Sequence, residues 1–182
     1  MKNRFQCKLN WLLIALTGTV MMGCTGIPEG TQPVKGFELD RYLGTWYEIA
    51  RMDHKFERGL SNVTAEYRLK DDGGVRVLNR GFNTAKAAWK EAEGKAYFVG
   101  DSNIGQLKVS FFGPFYASYN IIALDQDAYQ WSLVTGPDKD YLWILSRTPK
   151  LDPSVTDQLI EMAKSLGYKT DDLIVVSQEK NG

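Results

Sequence analysis

Side chains able to do chemistry are few in this chain, and the shortage narrows what it can do. It holds one His, His54, and two Cys, Cys7 and Cys24. Nucleophilic catalysis needs a base beside a hydroxyl or thiol, and metal or haem ligation by imidazoles needs more than one of them. The chain is short of both sets, so no catalytic residue, metal site or cofactor is expected. The acidic pairs Asp71-Asp72 and Asp171-Asp172 could share acid and base roles, but they sit in turn-like segments where solvated charge is the ordinary reason for them. What remains is Trp46, in Gly44-Thr45-Trp46 at the head of the first strand-like run, and Arg147 near the end of the last. A guanidinium over an indole face is a compact, favourable plug. The two can meet only if a sheet curls round on itself, which would seal one end of a barrel and leave the other open.

The amino terminus bears on location. Lys2, Arg4 and Lys8 precede a largely apolar run, Trp11 to Met22, and Gly23-Cys24 ends it. That is the layout of an export signal, and Leu9 to Met22 is too short to span a bilayer. Val20-Met21-Met22-Gly23-Cys24 resembles the lipobox of bacterial lipoproteins. The resemblance implies cleavage after residue 23, with Cys24 carrying a diacylglyceryl thioether and an N-acyl chain. Each buried methylene adds about 0.8 kcal/mol, so three acyl chains amount to permanent anchorage where one would be marginal. Thr25 stands where the inner-membrane retention signal would be Asp, which implies the periplasmic face of an outer membrane.

Residues 24–36, with Gly26, Pro28, Gly30 and Pro33, are expected to form a tether reaching at most about 40 Å at roughly 3.3 Å per residue, and residues 37–182 the folded domain. The whole chain balances 22 Lys and Arg against 22 Asp and Glu; without its basic signal it is faintly acidic. Nucleic acid, which demands clustered positive charge, is therefore no partner. With Cys7 cleaved off and Cys24 acylated no disulfide is available, and a hydrophobic core must hold the domain.

Period-two alternation broken by turn residues recurs along the domain. Val63, Ala65, Tyr67 and Leu69 alternate with polar residues, Asp71-Asp72-Gly73-Gly74 turns the chain, and Val75 to Asn79 returns. Further strands are expected near Trp89 to Val99, Gln106 to Phe112, Tyr116 to Leu124, Tyr129 to Thr135 and Tyr141 to Arg147. With Thr45 to Arg51 these make eight, and an all-β, eight-stranded antiparallel up-and-down meander removes its edges by closing into a barrel with room for one small ligand. One helix follows: Asp152 caps it, Pro153 fits its first turn, and Val155, Leu159, Met162, Ala163 and Leu166 share a face before Gly167. That face must be buried, and the outside of the barrel is the available surface. Leu173 to Val176 reads as a short last strand.

Phe37 to Leu43 ahead of Gly44-Thr45-Trp46, then Tyr47-Glu48-Ile49-Ala50-Arg51, resembles the first lipocalin signature, a 3₁₀ turn that closes the barrel and leads into the first strand. Leu124-Asp125-Gln126 stands where the second motif carries Thr-Asp-Tyr and keeps only the Asp. Tyr141 to Arg147 matches the third, with Arg147 as its cation. Together with Val109 to Phe115 and the lipobox, these make the chain similar to the bacterial outer-membrane lipocalins, relatives of apolipoprotein D.

The resemblance implies a carrier or reservoir for small apolar molecules, with fatty acids or lysophospholipids as the ligand class; the working unit is left open between one copy and a homodimer. The composition points the same way: Trp46, Trp89, Trp131, Trp143 and nine Tyr are more aromatic bulk than a small barrel interior packs solid. Alternation turns Tyr141, Trp143 and Leu145 inward with Arg147, and Val109 and Phe111 inward from another strand. Tyr116 and Trp131 are further candidates for the lining. Arg51, Lys55 and Arg58, around the loop Met52 to Leu60 that also holds His54 and Phe56, could receive a charged head at the mouth. Two other readings compete: a lipid-modifying envelope enzyme, and an envelope lipoprotein that binds another protein.

Overall fold

Turn residues cut the chain into strands where the alternation places them. The computed structural model describes residues 26–179, so the signal segment and Cys24 lie outside the described residues. The strands are β1 (Gly44–Arg51), β2 (Leu60–Leu69), β3 (Val75–Asn83), β4 (Ala88–Phe98), β5 (Gln106–Phe112), β6 (Phe115–Leu124), β7 (Trp131–Thr135) and β8 (Leu142–Ser146). Each pairs antiparallel with the next, β8 returns to β1, and β1 pairs with β2, so the sheet closes into an eight-stranded barrel. Side chains on one face of every strand form a single interior.

Closure is uneven. β1 and β2 share only four paired positions, Gly44–Tyr67 to Tyr47–Thr64. Beyond them the seam is bridged by the last described residues: β9 (Ile174–Val175) pairs with β1, and the Gln178 amide donates to the Glu48 and Val63 carbonyls at 2.8 and 2.9 Å. A bulge between Glu48 and Ala50 resets the parity of β1. Trp46 and Glu48 face inward, and so does Arg51, while Ala50 turns outward.

The helix α2 (Pro153–Ser165) starts where Asp152 accepts a hydrogen bond from the Ser154 amide at 2.8 Å. Leu159 and Ala163 bury its inner face against Ala50, Leu133, Leu142 and Ile144 on the barrel's outside. Met162, expected on that face, is instead 41% exposed. The turn before β1 is one α turn, α1 (Leu39–Tyr42), rather than 3₁₀.

Residues 26–36 are not the free tether that their Gly and Pro content suggests. They lie along β6: the Val34 amide donates to the Ile121 carbonyl (2.8 Å), the Gly105 amide to the Val34 carbonyl (2.9 Å), and Lys35 bridges Ile104. Pro28 and Thr31 are buried. Proline and glycine here shape a docked strap, because its backbone groups find partners on the barrel instead of in water.

Candidate functional site

A cavity of about 720 Å³ runs down the barrel, within the usual range for small-molecule sites. Its floor is α1 with the residues that seal the closed end. Trp46 is fully buried, its indole N–H donates to the Tyr42 carbonyl at 2.8 Å, and the Arg147 guanidinium lies 4.0 Å over its ring. Arg147 is also fixed by donating to the carbonyls of Arg41 (2.6 Å), Thr45 (3.1 Å) and Tyr129 (3.2 Å). Asp125, the retained residue of the weakened second motif, organises its loop by accepting from the Ala128 and Gln130 amides.

Above this seal, three inward tyrosines form a polar cluster. Tyr42 and Tyr67 each place a hydroxyl 2.9 Å from that of Tyr119, and Tyr42 also meets Ser132 at 3.0 Å. Burial pushes the Tyr42 phenol up to about 12 and those of Tyr67 and Tyr119 well above the ordinary range, so all three stay neutral. The walls are apolar. Val77, Ala96, Leu107, Val109, Phe111 and Leu145 line them, together with the small Ala65, Gly81 and Ala92. Gly94 is required by contact: a Cβ there would meet the Phe111 ring and the Ser110 carbonyl at 2.8 Å.

Of the residues expected to line the interior, Tyr141, Trp143, Leu145, Val109 and Phe111 do so, Tyr141 at the mouth just before β8. Tyr116 touches the cavity only at its rim, its ring set against Tyr97 (6.5 Å) and under Lys108 (5.2 Å). Trp131 is a correction. It pairs with Ser146, whose neighbour Leu145 is the inward residue, so Trp131 faces out and packs with the cluster beneath α2.

Of the expected head-group cations, Arg51 is corrected. Arg51 is 2% exposed and committed: its Nη1 donates to Glu48 at 2.7 Å and its Nη2 to the Glu57 carbonyl at 2.8 Å. Arg58, exposed, is held by Asp53 through its Nε at 3.1 and 3.0 Å. Lys55 is exposed on the same loop. Where a basic reception was expected, the inner wall near the mouth instead carries two buried carboxyls around one guanidinium. Burial raises Glu48 to about 8 and also raises Glu57, whose carboxylate accepts the Trp143 indole N–H at 3.0 Å. Alternation from Trp46 could have found Glu48; the bulge that turns Arg51 inward has no sequence signal of its own.

An aromatic stack covers this cluster. His54 lies between Phe56 (5.1 Å) and Tyr141 (5.0 Å) and tilts on Trp143 (4.8 Å). Burial, then the nearby Arg51, lowers its imidazole to about 4, so it is neutral and apolar in effect. Among the described residues no three His, Cys, Asp or Glu side chains group as metal ligands.

A closed eight-stranded antiparallel barrel with one mouth, an apolar interior and a single helix outside defines a class of small-molecule-binding β-barrels. The chain belongs to the lipocalin-like family, whose domain it matches over residues 37–178. It is 55% identical over 168 residues to outer membrane lipoprotein Blc of Vibrio cholerae serotype O1, covering 92% of this chain and 98% of the relative. To the Escherichia coli K12 protein of the same name it is 54% identical over 151 residues, 83% and 85% of the two chains. The lipid-anchored outer-membrane location read from the amino terminus agrees with those names. Among solved structures, insecticyanin from the tobacco hornworm superposes with a TM-score of 0.69 at 22% identity, over 85% of this chain and 88% of that one, a likeness of fold.

Proposed function

We propose that the protein is a membrane-anchored carrier or reservoir for lipids with one alkyl chain, fatty acids or lysophospholipids, in envelope lipid storage or transport. The observation that carries this reading is the apolar cavity of about 720 Å³ with its aliphatic and aromatic walls. An alkyl tail gains about 0.8 kcal/mol per buried methylene, or roughly 11 kcal/mol for about 14 of them as an upper bound. Association entropy removes several kcal/mol or more, which leaves micromolar affinity as the expectation. The charged head stays at the mouth in water, because the Arg51 guanidinium is already held by the Glu48 carboxyl and the Glu57 carbonyl. An enzymatic role is disfavoured: the sole His is stacked between rings, and no hydroxyl is activated beside it.

Native mass spectrometry of the protein purified without detergent tests the reading. A copurifying mass of one single-chain lipid per barrel is expected. A bound protein with no lipid would favour a scaffold, and turnover of added phospholipid an enzyme. Failure to take up any added single-chain lipid would overturn carriage.

A further inference from the structure

We infer that the mouth of the barrel is its membrane-contacting face, with the β5–β6 hairpin tip immersed in the bilayer, so that a lipid passes between membrane and cavity without crossing water. This rests on the acylation of Cys24 read from the sequence and goes beyond the carriage reading.

The strap fixes where the anchor emerges. The Gly26 carbonyl accepts from the Asn120 amide at 3.3 Å, and the same amide donates to the Gly136 carbonyl at 3.1 Å. Asn120 is fully buried under this arrangement. Gly136 and Pro137 begin the β7–β8 connection, which lines the cavity at its open end. From there residues 26–36 run toward the closed end, where the Gln126 amide donates to the Lys35 carbonyl at 2.9 Å. The strap therefore starts at the mouth. Cys24 is two residues before Gly26 in the sequence, so the chain linking the acylated residue to the strap's start spans at most about 7 Å between Cα atoms at roughly 3.3 Å per residue. Acyl chains held that close bring the mouth to the membrane and point the closed end away. A free tether could not have done so.

The surface at that end fits a bilayer. Among the described residues the exposed aromatics are Phe56 (52%), Trp89 (55%), Phe112 (81%) and Phe115 (67%). All four belong to the mouth: the β1–β2 connection, the start of β4 and the β5–β6 tip. The exposed large hydrophobics beside the closed-end connections are aliphatic, Leu69 and Val99. Phe112 and Phe115 face each other across Gly113-Pro114. Neither is covered by the rest of the protein, and aromatic rings of this kind are at home at the level of lipid headgroups and just below. Lys55 and Lys86 are exposed on the same rim, where their stems can lie along acyl chains while their ammonium groups reach phosphates.

The hairpin also has the reach. β7 ends at Thr135, opposite Asn120, whereas β6 extends five residues further to Phe115. At roughly 3.3 Å per residue the tip stands up to about 16 Å beyond the end of β7, and the β3–β4 hairpin on its other side, where β4 starts at Ala88 and meets β5 only from Lys95, reaches at least as far. With the strap end at the bilayer surface, the overhang enters it.

The test uses full-length acylated protein in vesicles of phosphatidylethanolamine and phosphatidylglycerol. Cys7 leaves with the signal and Cys24 is acylated, so an added cysteine is the sole reactive thiol. An environment-sensitive fluorophore is placed at Gly113→Cys on the tip, Lys86→Cys on the rim or Ser102→Cys at the closed end. Gly113 has open space around a Cβ and no positive φ, so the substitution is accommodated; Lys86→Cys is an independent second position. The expected result is blue-shifted emission quenched by nitroxide-labelled lipid at 113 and at 86, and water-like emission at 102. Phe112→Ser with Phe115→Ser should return the label at 113 to the behaviour seen at 102. A water-like label at 113, or stronger quenching at 102, overturns the inference. Lysolipid uptake measured on the same vesicles separates the two claims: uptake with a watery tip leaves carriage standing, and an immersed tip without uptake removes carriage alone.

Discussion

At the closed end, Arg147 stacks on Trp46 and donates to three main-chain carbonyls, on a floor where each tyrosine hydroxyl has a partner. At the mouth, Arg51 is held by the Glu48 carboxyl and the Glu57 carbonyl, beside two carboxyls whose own burial is unfavourable, and phenylalanines stand in solvent. Each arginine closes part of the barrel, Arg147 its bottom and Arg51 the stretch where β1 and β2 no longer pair. Stability is given up at the mouth. Carbonyl oxygens satisfy Arg147 without burying a second charge, whereas the Arg51 cluster buries three ionisable groups in exchange for a polar wall beside the ligand entrance.

The largest expected effect breaks the less comfortable of the two. Arg51→Met removes the guanidinium beside Glu48 and Glu57 and should cost about 3–5 kcal/mol above about pH 8, where Glu48 must carry its charge, and less at pH 6, where it holds its proton, read by urea unfolding; an equal loss at the two pH values would mean that the carboxyl charge is not what Arg51 balances.

The pH dependence sharpens the same point. Glu48 titrates near 8 in the folded chain against an ordinary value of 4.5. Between those values the unfolded chain has released a proton that the folded chain still holds, so stability falls as pH rises across that window. One full proton corresponds to about 1.4 kcal/mol per pH unit. Glu48→Gln should flatten much of the slope in unfolding curves taken from about pH 5 to 8; an unchanged slope would move the effect elsewhere.

At the closed end, Arg147→Ala should cost about 2 kcal/mol, from charged hydrogen bonds and a cation–π contact at a half-exposed site. Lipid affinity should stay within about twofold, since the seal does not touch the tail. A tenfold loss would join the two ends that are here treated as separate.

Trp143→Ala is the mildest of the four. It should weaken fatty-acid binding about tenfold, or about 1.4 kcal/mol, and reduce quenching of intrinsic fluorescence on titration. An unaltered titration would place the tail away from β8.

Strand parity was legible wherever alternation ran unbroken: Trp143 and Leu145 on β8, Val109 and Phe111 on β5. It failed at interruptions. The β1 bulge brought Arg51 inside, and the position of β7 after an irregular loop, with Tyr129 at positive φ, put Trp131 outside. Arg51, Lys55 and Arg58 looked alike as loop cations, yet one is an interior group, one an ion-paired surface group and one exposed. The carboxylates that hold Arg51 and Arg58, Glu48 and Asp53, lie within five residues of them, yet which cation turns inward depends on the β1 bulge, which spacing does not announce. Residues 26–36 read as a tether for the same reason: local composition registers missing side-chain bulk but not the strand lying alongside.

By itself the sequence determined the barrel, its strand count, the pairing of Trp46 with Arg147 and an amino terminus suited to lipidation. These follow from period-two alternation, turn chemistry and motif residues, all local along the chain. Only the tertiary structure decided that the entrance is walled by buried acid instead of open base, that the strap emerges at the mouth, and that the exposed phenylalanines collect there. The first turns on the β1 bulge, and the other two are sums over elements far apart in sequence, fixed by register and burial.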